Sequence, residues 1–157
     1  IVPPREVYSS VEWPVIILLA SVIPLGASLE SNGTTEIIVQ ILTKYASSME
    51  PWLIIAIIMI ITMTLSDILN NTATTLVIAP ISIQLAQTLN LNTDTFLMAV
   101  AVSASCAFLT PIGHKNNTII LGPGGYRFGD YWRMGLVLEV LIIITSIPLL
   151  LIFWPIN

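Results

Sequence analysis

Long apolar runs divided by short polar clusters set the pattern of this chain. Trp13 to Leu29 runs for seventeen residues without a charge, just long enough to cross a bilayer as a helix. Pro14 lies near its start, and Pro24 is expected to kink it. From Ser31 to Glu50 the pattern turns amphipathic. Ile37, Ile38, Ile41, Leu42 and Tyr45 recur at helical spacing, opposed by Glu36, Gln40, Thr43, Lys44 and Ser47. This predicts a helix over 34–48 lying on the membrane surface. Asn32 or Thr34 ahead of Glu36 gives it a loose capping signature. Pro51 then opens a hairpin over 51–90, with one arm to about Leu69 and a second from about Ala73 to Leu89.

Between those arms lies the polar stretch Ser66-Asp67-Ile68-Leu69-Asn70-Asn71-Thr72-Ala73-Thr74-Thr75. Asn and Asp favour turns and caps, and the flanks Trp52 to Leu65 and Leu76 to Leu89 contain no charged residue. A polar tip between two such arms predicts a re-entrant hairpin, because polar backbone at membrane depth is tolerated only where protein or a watery cavity surrounds it. The plainer alternative is two full spans joined by a surface loop. A second interruption follows. Thr95 to Leu109 is charge-free for fifteen residues, too short for a hydrocarbon core of about 30 Å. It stops at Thr110-Pro111-Ile112-Gly113-His114-Lys115-Asn116-Asn117 before apolar character resumes at Ile119 to Leu121. A helix broken over 95–121, non-helical from Thr110 to Asn117, is predicted. Its small residues Ala99, Ala101, Ser103, Ala104, Ser105 and Ala107 permit close packing. A last span over 134–155 carries Glu139, expected to snorkel or pair with Arg133, and is kinked at Pro148.

Composition makes this a membrane protein, and the helical patterns above make it an all-α one: 55% of its 157 residues are hydrophobic and only 9% charged, with a mean hydropathy of +0.92. Soluble domains carry about 25% charged residues. The chain opens on Ile-Val-Pro-Pro-Arg without Met or a secretory signal, and reads as a fragment. Cys106 is the only cysteine, which excludes an intrachain disulfide and suits a small packing residue. The net charge of −4 forms no basic surface, so nucleic acid is not an expected partner. Counting Lys and Arg places Arg5, Arg127 and Arg133 on one side and Lys44 on the other, which orients 1–12 and 122–133 to the cytoplasm. The hairpin then enters from outside.

Asn70-Asn71-Thr72, followed by Ala73-Thr74-Thr75 and Pro80, and later Thr110-Pro111 with Asn117, resemble the paired motifs of the divalent-anion:sodium symporters, the solute carrier 13 type of the ion-transporter superfamily. Asn70-Asn71-Thr72 stands where that family has Ser-Asn-Thr. Phe108-Leu109-Thr110-Pro111-Ile112-Gly113 and Gly122-Pro123-Gly124-Gly125-Tyr126-Arg127-Phe128 look most like its sulfate-permease-like branch. The likeness covers about residues 13 to 155. It implies one inverted repeat, the C-terminal one, of an elevator-type transporter that is often a homodimer. It further implies secondary transport of a small divalent oxyanion, sulfate or a dicarboxylate, coupled to sodium across a bacterial-type cytoplasmic membrane. No other cofactor is implied. By the same resemblance Asn71 and Thr72, with Asn70 beside them and Thr110, Pro111 and Asn117 at the break, are substrate contacts. Ser66, Asn71 and the backbone around Leu69 and Leu109 are sodium ligands. The chemistry fits, since amides and hydroxyls hold an oxyanion and carbonyls suit a hard cation. Asn70 departs from the motif serine, His114 and Lys115 lie in the break, and the missing N-terminal repeat must supply the other half of any site.

Lys115, an intramembrane cation, has an anion as its natural partner. His114 is read as structural or cavity-lining, against a role in proton coupling. Asp67 could ligate a cation or cap the tip. Three other functions compete. A cation/proton antiporter or arsenite-type permease of the same superfamily would lack sodium-dependent anion uptake. An intramembrane hydrolase could be built from Ser103 or Ser105 with His114, but there is no nucleophile elbow and no acid to orient the histidine. A packing subunit would leave two polar breaks unexplained. The expectation is a transporter, not an enzyme.

Overall fold

The computed structural model describes residues 16 to 156 apart from 18–19, 22–23, 25–26, 29–30 and 47. The expected span over 13–29 lies largely outside the described residues. From Thr34 onward six helices are described: α1 (Thr34–Ala46), α2 (Pro51–Ile68), α3 (Asn71–Thr88), α4 (Thr93–Ala104), α5 (Lys115–Leu121) and α6 (Phe128–Phe153). α2 and α6 are long and apolar enough to cross a membrane, by length and composition.

Local chemistry sets the boundaries. Pro51 starts α2, where its missing N–H costs nothing. α2 stops at Ile68, and the Asn70 side chain caps α3 by accepting the Ala73 amide at 2.7 Å. Only Leu69 and Asn70 separate the two helices, so Asn71 and Thr72 are the first helical residues of α3 rather than loop. Asn90, at φ 54, turns the chain after α3, and Asn92 caps α4 by accepting the Asp94 amide. α6 begins earlier than its apolar run because Asp130 accepts the Arg127 amide at 2.8 Å and closes the first turn.

The core lies between the hairpin arms and α4. Ile55, Met59 and Met63 of α2, Leu85 of α3, and Phe96 and Val100 of α4 are fully buried. Among membrane helices such packing stabilises through van der Waals contact and small residues that let backbones approach. Ala99, Ser103 and Ala104 line the buried side of α4, and Ala101 lies outside. The buried hydroxyls of Thr62 and Ser103 bond to carbonyls one turn back, at Ile58 and Ala99. α1 packs on α3 through Val39 and Ala46, leaving Ile37, Ile41 and Tyr45 outward beside Glu36 and Lys44.

α6 runs antiparallel to the α4–α5 pair. Its C-terminal end is tied to the start of α4: Thr95 donates to the Trp154 carbonyl, and Asn92 to those of Pro155 and Ile156. Its N-terminal half meets the non-helical stretch after α4, where Gly135 touches Phe108. A Cβ on Gly135 would lie 2.4 Å from the Phe108 oxygen and 2.6 Å from its carbon. Gly135→Ala in the intact protein is therefore expected to cost on the order of 1–3 kcal/mol and lower the thermal unfolding midpoint. Gly129→Ala on the same helix, where a Cβ meets nothing within 4 Å, should leave it unchanged. Equal midpoints for the two variants would show that α6 does not need that close approach.

Candidate anion and cation site

The two polar interruptions meet. Asp67, in the last turn of α2, accepts the Leu109 amide on Oδ1 at 3.0 Å and the Thr110 amide on the same oxygen at 3.3 Å. Thr110 Oγ1 donates back to the Asp67 carbonyl at 2.7 Å and accepts the Gly113 amide at 3.2 Å. A strand of backbone that has lost its helical bonds thus finds acceptors on the hairpin. Gly113 completes the fit. A Cβ there would lie 2.7 Å from Ala107 Cβ and 3.0 Å from both the Asp67 Cα and the Ser66 oxygen.

Ser66, one position earlier, faces another way, as successive helical residues differ by about 100°. Its Oγ lies 2.9 Å from Asn71 Oδ1 and 2.6 Å from the Ala104 carbonyl. A hydroxyl has one hydrogen, so three oxygens from α2, α3 and the end of α4 converge with one proton among them. Such an all-oxygen cluster suits a hard cation. Of the four sodium ligands inferred from sequence, Ser66 and Asn71 are brought together here. The Leu69 amide bonds to Leu65 and the Leu109 amide to Asp67, so only their carbonyls are left to offer. The Ala104 carbonyl was not foreseen, and a main-chain oxygen carries no signature in a sequence.

The break itself spans Ser105 to His114. Thr110 to His114 are non-helical, whereas Lys115, Asn116 and Asn117 form the first turn of α5. The reason is His114, whose Nδ1 accepts the Asn116 amide and caps that helix. His114 is thus a cap. Asn117 Nδ2 donates to the carbonyls of Ala107 and Thr110, and Thr118 Oγ1 to that of Pro111, so the side chains of α5 hold the break in shape. Tyr131 of α6 donates to the Asn117 carbonyl at 2.8 Å. Lys115 lies exposed on this chain and not in an enclosed cavity, as does Asn70, while Asn71 and Thr72 are half-buried at the start of α3.

Glu139 departs from its expected surface role. It is buried to 9% exposure and lies against Asp67 and the Phe108 backbone. Arg133 is six residues away, about 240° around the helix, and points to the exposed side. Ser103 and Ser105 bond to carbonyls of their own helix and His114 to Asn116, so no serine–histidine pair forms. An apolar cleft of about 570 Å³ opens between α5 and α6, lined by Ile120, Tyr131, Met134 and Leu138. Its apolar walls offer an anion little.

The position of the meeting point along α6 follows from helix geometry. Gly135 and Glu139 lie about 11 and 17 Å from its N-terminal end at 1.5 Å per residue, in a helix of about 39 Å. Tip and break therefore sit partway along α6. Removing the clamp should loosen the break: Asp67→Ala strands the Leu109 and Thr110 amides at about 1–3 kcal/mol for a buried unsatisfied donor. Hydrogen exchange over 105–114 is expected to accelerate in Asp67→Ala and to stay near wild type in Asp67→Asn, which keeps an acceptor. Equal exchange in all three would show that the clamp is not what orders the break.

Residues 1–156 match the citrate transporter family, CitMHS. An uncharacterised transporter of Synechocystis, sll0640, is 37% identical over 98% of this chain and 25% of its own length. The sodium-dependent dicarboxylate transporter SdcS of Staphylococcus saprophyticus is 27% identical over 90% of this chain and 27% of its own length. The sodium-dependent low-affinity dicarboxylate transporter 1 of Caenorhabditis elegans is 29% identical over 85% and 23% respectively. The chain spans about a quarter of the length of the relatives it matches. These relatives are transporters and not enzymes, and the family match, together with two helices among the described residues that are long and apolar enough to cross a bilayer, makes this an integral membrane protein. The chain belongs to the citrate transporter family.

Proposed function

We propose that this chain is the C-terminal repeat of a secondary transporter that carries a small divalent oxyanion, a dicarboxylate or sulfate, together with sodium. The observation that carries the reading is the direct meeting of tip and break through Asp67, Leu109 and Thr110. Two interruptions that served only as surface loops would have no reason to bond across 42 residues of sequence. If α6 spans the bilayer, their position partway along it supports reading α2 and α3 as a re-entrant hairpin, since irregular backbone at that depth needs protein or a lined cavity around it.

Sodium is held by Ser66 Oγ, Asn71 Oδ1 and the carbonyls of Ala104, Leu69 and Leu109. Asn71 and Thr72, at the positive end of the α3 dipole, face the anion with Asn70 beside them. Thr110, Pro111 and Asn117 shape the opposite wall. The names of the dicarboxylate relatives support sodium and a dianion, while the string from Phe108 to Gly113 supports the sulfate-permease-like branch. The open sides of Asn70 and Lys115 fit a half-site that the N-terminal repeat closes. A homodimer in a bacterial-type cytoplasmic membrane completes the reading.

Uptake of labelled succinate and labelled sulfate into proteoliposomes of the intact transporter tests this. Wild type should accumulate one of them only with an inward sodium gradient, and Asn71→Ala should abolish both uptake and its sodium dependence. Lys115→Met should raise the apparent KM about tenfold, the equivalent of about 1.4 kcal/mol, with little change in maximal rate. Accumulation without sodium, driven by a proton gradient, would favour the antiporter or arsenite-type reading. An unchanged KM would leave the anion to amides and hydroxyls alone.

A further inference from the structure

Two acidic side chains are buried where α2, the break and α6 meet, and the anion site uses neither as a ligand. Asp67 has 3% exposure and Glu139 9%. Their carboxyl groups lie within hydrogen-bonding reach of each other. Asp67 Oδ1 already takes two backbone amides, a pattern that suits the carboxylate anion. Asp67 Oδ2 and Glu139 Oε1 are buried and accept from no donor. Both ionised, the two only accept hydrogen bonds and repel each other strongly away from water, so the pair needs either a shared proton or a cation between its oxygens. The neighbouring cationic groups do not relieve this: Lys115, Arg127 and Arg133 are all exposed, and His114 is occupied as a cap.

Asp67 Oδ2 and Glu139 Oε1 are both buried and unpartnered, and one cation between the two side chains would satisfy both at once. We propose that Asp67 Oδ2 and Glu139 Oε1 are ligands of a second hard-cation site, separate from the Ser66, Asn71 and Ala104 oxygens and filled by sodium. Oxygen donors alone select hard cations over transition metals. The two sites are adjacent yet distinct, because Ser66 and Asp67 point to different sides of α2: one toward α3 and the end of α4, the other toward the break and α6. A cation on the second site ties the hairpin to α6. Naming that ion as sodium rests on the sodium-coupled reading above.

Equilibrium binding of radioactive sodium to the purified intact transporter, without anion, tests the site. Glu139→Gln and Asp67→Asn, which keep shape and remove charge, should each bind one sodium fewer per protomer than wild type. Combining Glu139→Gln with Asn71→Ala should remove one more. Equal counts in wild type and variants would overturn the proposal, as would a double variant that loses no more than Asn71→Ala alone. A second readout needs no variant: labelling of Glu139 by dicyclohexylcarbodiimide in wild type, followed by mass spectrometry. Sodium at about ten times its Kd leaves about one site in eleven free, so labelling should slow about tenfold relative to choline. Labelling indifferent to sodium would overturn the site. Sodium-driven uptake that persists with unchanged sodium counts would sink this site alone; sodium-independent uptake alongside the predicted counts would sink the transport reading and leave the site standing.

Discussion

Leu109 and Thr110 have backbone amides that no helix satisfies, and one carboxylate oxygen of Asp67 accepts them both. An unpaired buried backbone group away from water costs as much as a lost hydrogen bond or more. A broken helix among apolar neighbours therefore needs a dedicated acceptor. Everything else at the meeting point follows from that need. Thr110 returns a bond to the Asp67 carbonyl, Gly113 gives up its side chain so that the break can lie against α2, and Gly135 does the same for α6. Two glycines and one acid thus allow three backbones to touch.

The sequence made the class plain, since long charge-free runs with so few charged residues leave little but a membrane protein. It also marked the two interruptions, because polar clusters such as Ser66 to Thr75 and Thr110 to Asn117 stand out sharply against apolar flanks. Boundaries were harder. Asn71 and Thr72 read as tip but are helical, because the cap is Asn70. Lys115 to Asn117 read as break but are helical, because the cap is His114. In both cases a side chain that could have been loop was instead the residue that starts a helix, and the two uses share the same composition.

That tip and break should face each other follows from the cost of leaving two polar interruptions unpaired among apolar neighbours, but the individual residue pairs are not legible. Asp67 and Glu139 are far apart in the chain, and neither carries a spacing that betrays the other. From sequence Glu139 is expected to snorkel or to pair with Arg133, because proximity in sequence is visible while helical phase at six residues is easily neglected. The Ala104 carbonyl was missed for a different reason: every residue has a carbonyl, and only the fold decides which one is left free beside Ser66.

The bond network between tip and break also limits how this segment can move. A hairpin whose end carries bonds to Leu109, Thr110 and Ala104 cannot open like a flap without leaving those partners bare in an apolar setting. α4 in turn is held to the far end of α6 through Thr95 and Asn92. Any motion that keeps all of these bonds carries α2, α3, α4 and α6 as one block, so a hinge within the segment has to lie outside that bonded set and not at the polar seam.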